Sequence, residues 1–125
     1  METRKTILAV DDDAGQLETF KEILVPQYDF RGVKAASEAL NFMNANKIDL
    51  ILLDIGMPNI SGFEFLSDIR KIPSYIAVPV IIVSGMSGED FFQQAKNSSA
   101  AAVLSKPVTS NTLIHTIEKT LADAN

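Results

Sequence analysis

Asp54 closes a run of four apolar residues, Leu50-Ile51-Leu52-Leu53, and opens a turn-forming stretch that holds Gly56, Met57-Pro58, Asn59 and Ser61-Gly62. An unbroken apolar run of this length fits a strand buried on both faces. The Gly and Pro cluster ends it. A carboxylate there lies at the carboxyl end of a central strand, where open α/β sheets place their ligands. Taken alone, it also fits a turn-capping Asp. Three other apolar runs end in polar residues: 6–10 before Asp11-Asp12-Asp13, 79–83 before Ser84-Gly85, and 101–104 before Ser105-Lys106-Pro107. Each ending has an ordinary reading as well, as a helix cap, a turn hydroxyl or a solvated lysine. Their joint occurrence narrows the choice.

If the strands lie side by side, the carboxylates of Asp11, Asp12 and Asp54, the hydroxyl of Ser84 and the ammonium of Lys106 converge on one edge. Carboxylates so gathered repel one another unless a cation sits among them. An oxygen-only ligand set without His or Cys points to a hard divalent ion, Mg²⁺ by default. The ion and Lys106 would neutralise the oxygens of a transferring phosphoryl group, and Ser84 would donate to one of them. An ionised Asp54 could then attack phosphorus and become an acyl phosphate.

The segments between these runs must position those residues. Leu17, Phe20, Ile23 and Leu24 recur at helical spacing before Pro26, and one of the preceding aspartates can cap that helix. Residues 28–33 read as a weaker edge strand. Ala39, Leu40 and Met43 mark a second helix, and Phe63, Leu66 and Ile69 the inward face of a third. A short helix spans 88–97, and Leu113, Ile114, Ile117 and Leu121 mark the last. Five strand–helix units imply a parallel sheet with helices on both faces, the doubly wound (βα)5 α/β class. The flavodoxin-like order 2-1-3-4-5 suits five strands. The 125 residues read as one domain, with ordinary hydrophobic content of 46%. The absence of cysteine excludes disulfides and thiolate metal sites, and a single His115 excludes a histidine-rich one. A net charge of −5 argues against direct nucleic-acid binding or an acidic membrane surface. No segment reads as a signal peptide or a membrane span, so a cytoplasmic location is expected.

The motifs AVDDD (9–13), LLDIGMPNISG (52–62), PVIIVSG (79–85) and LSKP (104–107) together resemble the receiver domains of two-component response regulators, the CheY-like fold, over roughly Ile7 to Leu121. The resemblance implies that Asp54 is the phosphoacceptor, and that Asp11, Asp12, Asp54 and the Gly56 carbonyl hold Mg²⁺. It implies that Ser84 and Lys106 contact the phosphoryl group, with a cis Lys106–Pro107 bond. The implied donor is a phosphohistidine on a histidine kinase or histidine phosphotransfer protein. The implied readout is a changed surface offered to a downstream protein target or output domain. Hydrolysis resets the switch. The domain would act as a phosphoacceptor, catalysing only its own phosphotransfer and dephosphorylation.

The sequence departs from that pattern at several points. Val103 stands where Tyr or Phe is usual, Ser99-Ala100 replaces Gly-Ala, and Gly56 and Met86 stand at the two places whose side chains flank the attacking water in the family that the sequence resembles. Two other readings compete. One is a receiver fold serving as an interaction module without a phospho-switch. The other is a haloacid-dehalogenase-type phosphatase with its nucleophile at Asp11 and its DxD partner at Asp13. Labelling of Asp54 rather than Asp11 separates the phosphatase from the receiver. Phe91 and Phe92 cannot both face the core of one short helix, so one of them is expected outside, available to a partner.

Overall fold

A computed structural model describes residues 4–57 and 61–124. Pro58 and Asn59, in the turn expected after Asp54, lie outside the described residues, as do Met1 and Asn125. The strands are β1 (Thr6–Val10), β2 (Asp29–Val33), β3 (Leu50–Leu53), β4 (Val80–Ser84) and β5 (Ala102–Ser105). The helices are α1 (Ala14–Leu24), α2 (Ala36–Ala45), α3 (Gly62–Arg70), α4 (Glu89–Asn97) and α5 (Ser110–Ala124). All strands pair in parallel in the order β2-β1-β3-β4-β5, the arrangement expected. β2 is an edge strand, as expected of residues 28–33.

The sheet separates two apolar layers. Because successive strand residues point to opposite faces, Ile51 and Leu53 join Leu8, Val10, Val80 and Ile82 beneath α2, α3 and α4. Leu50 and Leu52 join Ile7, Ala9, Ile81 and Val83 beneath α1 and α5. This two-sided burial is why the central runs show no polar alternation. Each such Leu or Ile contributes about 1.5–3 kcal/mol by leaving water, so the sheet's middle is the stable base from which the strand ends project.

Four details differ from the sequence reading. β4 and β5 begin and end one residue later than expected, which makes Ser84 and Ser105 the last strand residues, paired in register. On α3 the buried stripe is Gly62, Phe65, Leu66 and Ile69, at i, i+3, i+4 and i+7. Phe63, expected inside, is half-buried and leans on Phe91, with ring centroids 6.1 Å apart. The cause is the start of the helix: Ser61 caps it by accepting the Glu64 N–H, and that phase turns Phe65 inward. Ile23, Ile114 and Leu121 are half-buried at the rim of their layer, whereas Leu113 and Ile117 are fully buried. Finally, a short 3-10 turn at Pro73–Tyr75 follows α3, and its Tyr75 hydroxyl donates to the carbonyls of Met43 and Asn46, at 2.8 and 2.6 Å. Phe91 is buried and Phe92 is 49% exposed, the division expected of adjacent residues on one helix.

Candidate functional site

The backbone ladder runs one residue past the strands and carries the site with it. The N–H of Asp11 donates to Val33 O, that of Asp54 to Val10 O (both 3.0 Å), and that of Lys106 to Ser84 O (2.9 Å). Asp11, Asp54 and Lys106 are thereby fixed to β2, β1 and β4. The Lys106–Pro107 bond is cis. Asp13 caps α1, accepting the N–H groups of Gly15 and Gln16 at 2.9 and 3.3 Å. Of the three aspartates it is therefore the helix cap, and Asp11 and Asp12 are left for other work.

Lys106 Nζ lies 2.9 Å from Asp11 Oδ2 and 3.3 Å from Asp54 Oδ2. The second oxygen of each of these carboxylates is held by its own chain: Asp11 Oδ1 accepts the Asp13 N–H and Asp54 Oδ1 the Gly56 N–H, both at 2.9 Å. Ser84 Oγ likewise accepts the N–H of Met86, at 3.1 Å. All three site side chains thus grip the backbone two residues on, the local turn that Asp and Ser favour. Residue spacing could have revealed Asp13, Gly56 and Met86 as these donors, but the sequence reading did not single them out for it. Asp11, Asp54 and Ser84 are buried and Asp12 is exposed. Carboxylate oxygens of Asp11, Asp12 and Asp54 lie within 4.8 Å of one another.

Burial raises the Asp11 carboxyl above the usual carboxylate range, and the Lys106 ammonium and the Asp13 N–H only partly counter it. For Lys106, burial favours the neutral amine, but the Asp11 hydrogen bond and the charges of Asp11 and Asp54 outweigh it, and its affinity for the proton rises. Three carboxylates against one ammonium leave two negative charges uncompensated. With oxygen donors alone, that deficit fits a hard divalent cation.

Glycines shape the approach to Asp54. A Cβ on Gly62 would lie 2.6 Å from Ile55 Cα, so only glycine lets α3 start this close to the turn. A Cβ on Gly56 would meet only ordinary contacts, 3.6 Å from Asp54 Oδ1 and 3.7 Å from Met86 Cγ. Space therefore remains beside the carboxylate.

A parallel sheet whose carboxyl edge gathers the buried carboxylates of Asp11 and Asp54, a lysine bridging them and a serine on the next strand suits the handling of a phosphoryl group. The chain belongs to the response regulator receiver domain family, whose family model matches residues 7–118. It is a phosphorelay receiver, and the haloacid-dehalogenase-type reading is set aside. It is 26% identical over 121 residues to the polar-differentiation response regulator DivK of Brucella ovis, covering 96% of this chain and 98% of DivK. It is 33% identical over 103 residues to a probable cyclic di-GMP phosphodiesterase of Vibrio cholerae, covering 82% of this chain but only 23% of that protein. The structure of a CheY-like receiver domain protein from Methanospirillum hungatei superposes with a TM-score of 0.89 at 29% identity, covering 98% of this chain and 97% of that one. Among the described residues, no helix is long and apolar enough to cross a membrane.

Proposed function

We propose that Asp54 takes the phosphoryl group from a phosphohistidine, on a histidine kinase or a histidine phosphotransfer protein. The observation that carries this is the Asp54 carboxylate, buried at the end of β3, held by the Gly56 N–H on one oxygen and facing Lys106 Nζ with the other. In the transfer, an Asp54 oxygen attacks phosphorus, the P–N bond breaks, and its electron pair stays on the imidazole nitrogen. Lys106 is within reach of the oxygens that gain charge. Ser84 Oγ already accepts the Met86 N–H, so its own proton is free to be donated to a phosphoryl oxygen. Mg²⁺, held by Asp11, Asp12, Asp54 and the Gly56 carbonyl, supplies further charge neutralisation when bound. Attack by water on phosphorus resets Asp54. We read residues 1–125 as one receiver domain working in the cytoplasm, without contact to nucleic acid or membrane.

Recruitment of Ser84 toward the phosphoryl group would draw on the loop after β4 and bias α4 and β5 between two arrangements. Val103 is half-buried against the layer under α4 and has no ring to swing. The switch therefore rests on Ser84 and the loop itself. Phe92 gives the α4 surface an apolar contact for a protein target. Phe92→Ser should leave stability within about 0.5 kcal/mol, as an exposed substitution does, and weaken capture of the target. A collapse in thermal stability would contradict this. Phosphorylation that changes no partner's affinity would instead favour an interaction module without a phospho-switch.

Protons compete with the cation for Asp11. Because burial raises the Asp11 carboxyl, Mg²⁺ affinity should fall as pH drops, beginning above the usual carboxylate range, and binding should release protons there. Calorimetric titrations in buffers of different ionisation heat between about pH 7 and pH 4.5 measure both. Flat affinity over that span would remove Asp11 from the ligand set.

A further inference from the structure

Among the described residues, β2 is paired on one side only, with β1. The Asp29 N–H donates to Lys5 O, and Val33 O accepts the Asp11 N–H, both at 3.0 Å. With the register Thr6↔Asp29 to Val10↔Val33, this turns both backbone groups of Asp29, Arg31 and Val33 toward β1. Phe30 and Gly32, between them, turn their N–H and C=O groups away from the sheet. Charged side chains often blunt such an edge. Here Arg31 is drawn aside, its guanidinium 5.3 Å from the centre of the Phe42 ring. A hollow lies on each side of the edge. The one beside α1 is about 450 Å³, and its walls include Lys21, Arg31 and Lys34 against a single carboxylate, Glu18. The one beside α2 is about 310 Å³, with Phe42 on its wall and one carboxylate, Asp29, which Arg4 pairs at 3.8 Å. Among the described residues, no ion pair engages Lys21, Arg31 or Lys34. A basic strip without counter-charge thus borders an open strand edge, on a chain whose net charge is −5.

We propose that the β2 edge takes an acidic, extended segment of a partner protein as a sixth strand of the five-stranded sheet. Carbonyls of the added strand accept the N–H groups of Phe30 and Gly32, and its own N–H groups donate to their carbonyls. Main-chain pairing of this kind supplies affinity, and the alternate side chains supply choice. Successive residues of a strand point to opposite faces, so the segment fills the two hollows by turns. Its Glu or Asp residues meet Lys21, Arg31 and Lys34 on the α1 side, and its apolar residues rest on the Phe42 ring on the α2 side. Nucleic acid suits the strip less well: phosphates accept from the cations and N–H groups but offer nothing to the carbonyls of Phe30 and Gly32. A second copy of this chain also suits it less well. Its β2 would set the same cations against these, and like charges across a strand pair repel. Its other edge, β5, reads AVLS and brings no carboxylate. The inference goes beyond the phosphoryl chemistry and does not rest on Asp54.

The probe is an acetylated, amidated heptapeptide of alternating Glu and Val with Glu at both ends, titrated into the full chain at low salt. Amide NMR and hydrogen exchange read the outcome. We expect a Kd of about 0.1–1 mM. The Phe30 and Gly32 amides should shift, and their exchange should slow about tenfold at about 90% occupancy, while the Arg31 amide, already paired to β1, keeps its rate. Two N-methylated peptides separate strand pairing from simple charge attraction. One carries its methyls on the Glu nitrogens and the other on the Val nitrogens, and only one set faces β2. One peptide should therefore lose binding and the other keep it. Lys21→Glu combined with Lys34→Glu, both exposed positions, should weaken binding about fivefold with the melting temperature little changed. Unshifted Phe30 and Gly32 amides at about 5 mM peptide, or equal binding by the two methylated peptides, would overturn the proposal. So would unchanged affinity in the folded double variant. Tighter binding of a single-stranded oligonucleotide at the same amides would overturn it in favour of nucleic acid, and dimerisation of the chain through β2 in favour of a second copy.

Discussion

Asp54→Asn should take no measurable phosphoryl group from acetyl phosphate, a loss of about 100-fold or more, the scale seen when a central charge-stabilising or reacting group is removed. The amide is nearly isosteric and its oxygen can still accept the Gly56 N–H, as Asp54 Oδ1 does at 2.9 Å. The turn should therefore persist. What disappears is the anionic oxygen facing Lys106 at 3.3 Å, and with it the nucleophile. One of the three mutually close carboxylates also goes, so Mg²⁺ should bind more weakly. Stability should not fall much, because Lys106 keeps its shorter contact to Asp11 at 2.9 Å. Intact mass spectrometry measures the first effect and thermal melting the second. A variant that gains phosphoryl mass as readily as wild type would place the acceptor elsewhere.

Gly62→Ala should cost about 1–3 kcal/mol, the range for forcing extra atoms into a packed site, or about 5–10 °C in melting temperature for a domain of this size. The added Cβ would lie 2.6 Å from both Ile55 Cα and Ile55 Cδ1, and 3.3 Å from Asp54 O. The Ile55 side chain can rotate away, but its Cα cannot move without the backbone. A shift there passes directly to Asp54 and to the Gly56 N–H that holds its carboxylate. Phosphorylation should therefore slow severalfold even where the protein remains folded. Gly85→Ala is the matched control: nothing lies within 4 Å of its Cβ position. It should change stability by no more than about 0.5 kcal/mol. Equal melting temperatures for the two variants would contradict the close approach of α3 to the turn.

Fold and site were unequally legible in the sequence. The strand runs and the residues ending them stood out because burial on both faces removes polar alternation from β1, β3 and β4 and leaves Asp11, Asp54 and Ser84 as abrupt breaks. The strand order suited a doubly wound sheet of five strands but does not follow from periodicity. The inward face of α3 was misjudged at Phe63 because Phe63 and Phe65 are equally apolar. Only the phase set by the Ser61 cap selects Phe65. Contacts across long stretches of chain left no local signal. Arg70 is such a case. Its guanidinium donates to Tyr75 O and Val78 O at 3.0 and 2.6 Å, and to Ser99 Oγ and Ser99 O at 2.7 and 3.2 Å. That clasp ties the end of α3 to the loop before β5, and its burial lowers the Arg70 pKa. It also supplies a partner for Ser99, one of the departures from the family pattern.

The most direct measurement is the site of labelling: incubation with acetyl phosphate with and without Mg²⁺, intact mass, then borohydride reduction of the acyl phosphate and peptide mapping. A Mg²⁺-dependent gain of one phosphoryl group that maps to Asp54 is the expected result. A label on Asp11, or a gain indifferent to Mg²⁺, would contradict the assignment of Asp54 as a metal-assisted phosphoacceptor.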